Sequence, residues 1–252
     1  MQQMGLLILF LGVPTAVHAA GFDRVQINVG DPPAAAHWYA NNLGGHLTKV
    51  DSAPAVSFGK MRLSFSKVQG TIGESTTSGI DHLGFSYENL DAAMQRFAKS
   101  GVRVVSGIEN DGPVRYAFIH DPWATLIEVV EDPEIRGFHH IHLATTDPKA
   151  TLKWYTDTFG GKVARFAGLI AGIRYGDEWI LVKQVERRRA PTKGRAIDHL
   201  SWPFTDLDHA ARRLENKGVR FETGPGDVAA SRSLFVHDPA GVRLELVRPA
   251  GE

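Results

Sequence analysis

Two histidines and a glutamate, His140, His199 and Glu245, occur in three strand-like segments, next to apolar residues that recur at every second position. His140 precedes Ile141 and Leu143, His199 precedes Leu200 and Trp202, and Glu245 lies between Leu244 and Leu246. Residues two apart in a strand share a face. If the apolar set packs inward, the three polar side chains project together into a cavity on the other side. A carboxylate buried there is costly unless it is paired or ligates a cation. Two imidazoles and one carboxylate make a facial triad that leaves positions open for water or substrate oxygens. That set suits one divalent ion, Fe2+, Mn2+, Zn2+ or Ni2+. A lone cavity histidine is more often a hydrogen-bonded core residue, but three ligand-type residues at repeat-equivalent positions favour a metal. Glu245 is thus a candidate catalytic residue. So is His142, which shares the face of His140 and suits acid/base or supporting duty. His139, one residue out of phase, is expected to point away from the cavity.

The elements that must position these residues follow from an internal repeat. Phe22-Asp23-Arg24-Val25-Gln26-Ile27 aligns with Phe138-His139-His140-Ile141-His142-Leu143, Asp31-Pro32 with Asp147-Pro148, and Trp38-Tyr39 with Trp154-Tyr155. Interleaved with it, Ile80-Asp81-His82-Leu83 aligns with Ile197-Asp198-His199-Leu200, Asp121-Pro122 with Asp238-Pro239, and Glu128 with Glu245. Four units therefore begin near residues 22, 80, 138 and 197. Each opens on an alternating strand. Asp31-Pro32 and Asp147-Pro148 mark helix starts as N-cap and first helical residue. Gly101 and Gly218 suit left-handed helix stops. Strand-like runs then close each unit, ending at residues 125–130 and 242–247 in the second and fourth.

In the first half, His82 and Glu128 remain while Arg24 stands where His140 stands in the second. Arginine does not ligate metals. Arg24 is expected to pair with Glu128 in place of an ion; holding an anionic substrate group is the functional alternative. His120 and His237 precede Asp-Pro turns and are expected to be structural. Trp179 and Tyr175 are candidates for lining the cavity, although strand aromatics are more often core.

The paired units, the His-apolar-x-apolar opening strands, the Trp-Tyr helix ends and the Asp-Pro-x-Gly-x-x-x-Glu segment at Asp238–Glu245 resemble the vicinal oxygen chelate superfamily. That group includes glyoxalase I, extradiol dioxygenases and bleomycin-resistance proteins. The resemblance covers about residues 21–248 and implies an α+β fold of four βαβββ modules, paired into two glyoxalase-like half-barrel domains at 20–132 and 136–250. It supports His140, His199 and Glu245 as metal ligands. A fourth family ligand would fall near Leu181, so three protein ligands are expected. The activity implied is lyase or isomerase chemistry of the glyoxalase type, or oxygen insertion, on a small oxygen-chelating substrate. Phe235 replaces the tyrosine of the extradiol motif, and residues 223–233 contain no histidine, which counts against ordinary catechol cleavage. A metal-free protein that sequesters a small molecule, as bleomycin-resistance proteins do, is the alternative. On this assignment an ion is lost in His199→Ala or Glu245→Ala and kept in His82→Ala.

Composition bounds the rest. Lys plus Arg (28) equals Asp plus Glu (28), so no excess of positive charge points to nucleic acid. The absence of cysteine excludes disulfides and thiolate ligands. Leu6 to Val17 is apolar but too short to span a bilayer. Val17-His18-Ala19 then suits cleavage after Ala19. Residues 1–19 are expected to be a signal peptide, giving a secreted or periplasmic protein with no stable membrane span. A homodimer stays open.

Overall fold

A computed structural model describes residues 21–222 and 233–248. The expected signal peptide, residues 1–19, lies outside them. Unit one comprises β1 (Arg24–Val29), α1 (Pro32–Leu43), β2 (His46–Val50), β3 (Ala53–Phe58) and β4 (Met61–Lys67). Unit two comprises β5 (Ile80–Tyr87), α2 (Leu90–Lys99), β6 (Arg103–Val104), β7 (Glu109–Asp111), β8 (Val114–His120) and β9 (Leu126–Glu131). Unit three comprises β10 (Gly137–Thr145), α3 (Pro148–Phe159), β11 (Lys162–Phe166), β12 (Ile170–Tyr175) and β13 (Glu178–Gln184). Unit four has β14 (Ile197–Pro203), α4 (Leu207–Asn216), β15 (Ser233–His237) and β16 (Arg243–Val247). Among the described residues no helix is long and apolar enough to cross a membrane.

The helix signals act as their chemistry requires. Asp31 accepts from Ala34 N and Asp147 from Ala150 N, each ahead of a proline in the first turn. Gly101 (φ 70°) and Gly218 (φ 78°) take the left-handed conformation just past α2 and α4.

Two open sheets result. One runs β15-β16-β14-β1-β4-β3-β2; the other runs β11-β12-β13-β10-β5-β9-β8-β6, with β7 on β8. Each unit's first strand pairs in parallel with its last, leaving the other edge unpaired. Two first strands join antiparallel to satisfy those edges, β1 with β14 and β5 with β10. Each sheet therefore combines one unit from each half of the chain. The links decide which units meet. Residues 132–136 only cross the end of β5, where Asp132 N donates to Tyr87 O, so unit two leads directly into unit three. The longer links 68–79 and 185–196 connect the two sheets, running beside each other at Gly73–Arg195 and Ser78–Ala190.

The apolar strand faces form one core with the helices. Val25, Ile27, Leu83, Phe85, Ile141, Leu143, Leu200 and Trp202 are all fully buried there with Tyr39, Phe97, Tyr155 and Leu214. Each such side chain stabilises the fold by about 1.5–3 kcal/mol relative to exposure. The opposite strand faces are thereby left for polar residues.

The Asp-Pro turn before β9 is held from this core. Asp121 accepts from Trp123 N (2.9 Å) and Thr125 N (2.7 Å), and the buried Tyr39 hydroxyl donates to its other oxygen (2.8 Å). Tyr39→Phe leaves that oxygen without its donor. An expected loss of about 1–3 kcal/mol should lower the denaturant midpoint at unchanged slope.

Candidate metal centre

Four ligand-type residues meet on the face of the β5–β10 sheet turned away from the main apolar core: His82 from β5, Glu128 from β9, and His140 and His142 from β10. All four are buried, and one donor atom from each lies within 4.8 Å of the others. His82 Nε2 is 2.8 Å from Glu128 Oε2 and 3.4 Å from His140 Nε2. His140 Nε2 is 3.3 Å from the same carboxylate oxygen. His142 Nδ1 is 3.1 Å from His82 Nε2 and 4.0 Å from Glu128 Oε2. Donors bound at about 2.1 Å to one ion stand about 3.0–3.4 Å apart at right-angled or tetrahedral geometry, which is close to these separations.

The charge states suit an ion. Burial lowers His140 to about 3 and His142 to about 4, which keeps both imidazoles neutral. Burial alone would raise Glu128, but contacts with His140, His142 and His82 outweigh it and hold the carboxylate well below its usual range. Burial likewise disfavours a charged His82, yet Asp81 and Glu128 overcome this and raise its pKa. His82 Nδ1 lies 2.7 Å from Asp81 Oδ1. With that nitrogen donating, the Nε2 lone pair faces the Glu128 carboxylate, so a proton or a metal cation must lie between them.

Outer partners fix both rings. Asp81, opposite an irregularity in the β5–β10 register, touches Lys183 Nζ (2.8 Å) and the Arg189 guanidinium as well as His82. The same pairing slips between Phe138 and His140, making His139 an extra, bulged residue. The bulge corrects the expectation that His139 points away. Its Nδ1 lies 2.8 Å from His140 Nδ1, and its Nε2 lies 3.3 Å from Asp132 Oδ2. Gly84 makes room for His140, since a Cβ there would overlap the imidazole. Such outer partners typically set metal affinity by 10–100-fold. Asp81→Asn is expected to weaken divalent-ion binding by about that factor, measured by calorimetric titration, with little change in secondary structure.

The walls are apolar. Trp179 and Leu181 stand in register with His140 and His142, and cluster with Ile135. Phe118 lies across from Glu128, 5.3 Å from the His82 ring. A cavity of about 320 Å3 lined by Asp132, Ile135, Phe166, Arg174 and Trp179 adjoins this wall. Tyr175 instead packs in the main core, against Phe22.

The triad expected from the sequence is not assembled. His140 sits in one sheet; His199 and Glu245 sit in the other, against Arg24. Arg24 ion-pairs with Glu245, not Glu128, and also donates from Nε to Ser201 Oγ (3.1 Å). Ser201 donates to Glu245 (2.6 Å), and His199 Nε2 is 3.6 Å from the same carboxylate oxygen. Three of the expected consequences change with it. Glu245 and His199 do not face His140, while His82 and Glu128 do. The fourth donor expected to be missing at Leu181 is matched by His142, its register partner on β10.

Two repeated βαβββ units joined across a first-strand pair, with a buried His/Glu cluster on the face away from the main core, define a structural class. The family model of the Glyoxalase/Bleomycin resistance protein/Dioxygenase superfamily matches residues 21–129 and 137–246, and the chain belongs to that superfamily. Glyoxalase I from Zea mays shares the fold at TM-score 0.74 and 17% identity, covering 90% of this chain and 92% of that one. A candidate dioxygenase from Bacillus subtilis subsp. subtilis strain 168 matches at TM-score 0.68 and 18% identity, covering 94% and 87%.

Proposed function

We propose that the protein is a metal-dependent enzyme acting on a small organic substrate that presents two neighbouring oxygens. The supporting observation is the convergence of His82, Glu128, His140 and His142, with His140 and His142 neutral and the carboxylate ionised. These residues would hold one divalent ion, of the Fe2+, Mn2+, Zn2+ or Ni2+ kind. Bound there, the ion would supply Lewis-acid stabilisation to negative charge developing on a substrate oxygen. The reaction class is lyase or isomerase chemistry, or oxygen insertion with iron. Asp81 and His139 orient two of the ligands, and Trp179, Leu181 and Phe118 exclude bulk water. His142 Nε2 is buried without a partner among the described residues, and we assign it as donor to a substrate oxygen. The substrate would approach from the side of the cavity at Asp132, which shares Ile135 and Trp179 with the apolar wall of the centre. Residues 1–19 are proposed as an export signal, checked by sequencing the mature N-terminus, with Ala20 expected first.

Metal analysis of protein prepared without chelator tests the enzyme assignment. About one ion per chain is expected. Turnover of vicinal-dioxygen compounds should vanish on chelation and return with one of the four ions. A chain that holds no ion under these conditions would sink the proposal and leave a sequestering protein as the better account.

A further inference from the structure

The two sheets carry the same arrangement twice, with informative differences. His82, Glu128 and Asp81 recur as His199, Glu245 and Asp198. His140, His142 and Gly84 recur as Arg24, Gln26 and Ser201. The registers establish the equivalence: Arg24 faces Ser201 as His140 faces Gly84, and Gln26 faces His199 as His142 faces His82.

We propose that the β1–β14 centre is a latent divalent-metal site closed by two coupled differences: Arg24 supplies the cation, and Ser201 fills the space a histidine at position 24 would need. This rests on the metal assignment of the β5–β10 centre. The guanidinium meets Glu245 Oε2, the oxygen that His199 approaches at 3.6 Å; in the other centre Glu128 Oε2 is approached by His82 and His140. A permanently charged guanidinium has no lone pair to offer an ion, and it repels one from the adjacent carboxylate. Asp198 still holds His199 Nδ1 at 2.6 Å, matching Asp81 and His82, so the orienting partner of a ligand survives.

Ser201 makes the change a pair. His140 fits only because Gly84, across the strand, has no Cβ. Ser201 carries that atom, and its hydroxyl bridges Arg24 and Glu245. Placing histidine at position 24 alone therefore meets an obstruction. Gln26 does not contribute, because its amide is turned to β4, donating to Ser64 O (3.1 Å) and Ser66 Oγ (3.0 Å) and accepting from Ser64 Oγ (2.8 Å). A reopened centre would hold its ion through the introduced imidazole, His199 and Glu245.

The test counts ions by mass spectrometry after loading with Zn2+ and desalting, with folding followed by circular dichroism. Wild type and Arg24→His should each carry one ion. Arg24→His with Ser201→Gly should carry two, and adding His199→Ala should return the count to one. A folded double variant that gains no ion over wild type overturns the latent site. A second ion in Arg24→His alone overturns the coupling to Ser201. The reciprocal exchange, His140→Arg with Gly84→Ser, should give a folded chain that holds no ion; one that retains an ion also overturns the proposal, and this arm decides if the first double variant does not fold. Should wild type hold no ion while Arg24→His with Ser201→Gly holds one, the latent site stands and the assignment of the β5–β10 centre fails.

Discussion

Replacing His82 with alanine is expected to empty the protein of its ion, and replacing His199 with alanine is expected to leave the ion bound. His82 is the hub of the candidate centre, touching Glu128 at 2.8 Å, His142 at 3.1 Å and His140 at 3.4 Å. Its removal deletes a ligand and also the group through which Asp81, Lys183 and Arg189 act on the site. The fall in affinity should exceed the 10–100-fold that loss of an outer partner brings. His199 lies in the other sheet beside an ion-paired carboxylate, so its loss removes no donor from the cluster. Metal content and titration of both variants decide the matter. An ion kept in His82→Ala and lost in His199→Ala would restore the pairing that the repeat alone suggests.

That pairing shows how far the sequence could be read. Alternating apolar residues, Asp-Pro caps and repeat equivalences are local, and they placed the strands, the helix starts and the family resemblance. The faces were legible too: His82, His140, His199 and Glu245 all turn from the core, as Ile141 and Leu200 require. Which first strands pair is a long-range choice, and a repeat is symmetric with respect to it. One signal was available, because the short link 132–136 can keep units two and three in one sheet more readily than the links 68–79 and 185–196 can join their neighbours. His139 departs from its expected face for another reason. The bulge inserts His139 as an extra residue between the pairs Phe138–Phe85 and His140–Gly84, and nothing in Gly-Phe-His-His-Ile-His announces it. Gly84 is legible only in retrospect, since its role depends on a ring arriving from the strand opposite.

Arg24→Ala should be among the most destabilising single changes outside the apolar core. The guanidinium and the Glu245 carboxylate are each 11% exposed and pair directly, with Ser201 bonded to both. Removing one partner of a buried pair leaves the other charge uncompensated, at about 3–5 kcal/mol. His199 offsets part of this, because Asp198 and Glu245 raise its pKa against the opposing effect of burial. The cost should depend on pH with a definite sign. Burial would raise Glu245, but His199 and Arg24 outweigh it and depress its folded pKa. A depressed carboxylate contributes stability above its unfolded pKa of about 4.3, and that contribution is lost as pH falls through the folded value. The gap between wild type and Arg24→Ala should therefore be full near neutrality and shrink on acidification below about pH 4. Arg24→Met combined with Glu245→Met should cost well under the sum of the single losses, since exchanging a whole buried pair for apolar groups is often close to neutral. Additive losses in a double-mutant cycle would mean that the two side chains act independently, and that Arg24 is not the cation on which Glu245 depends.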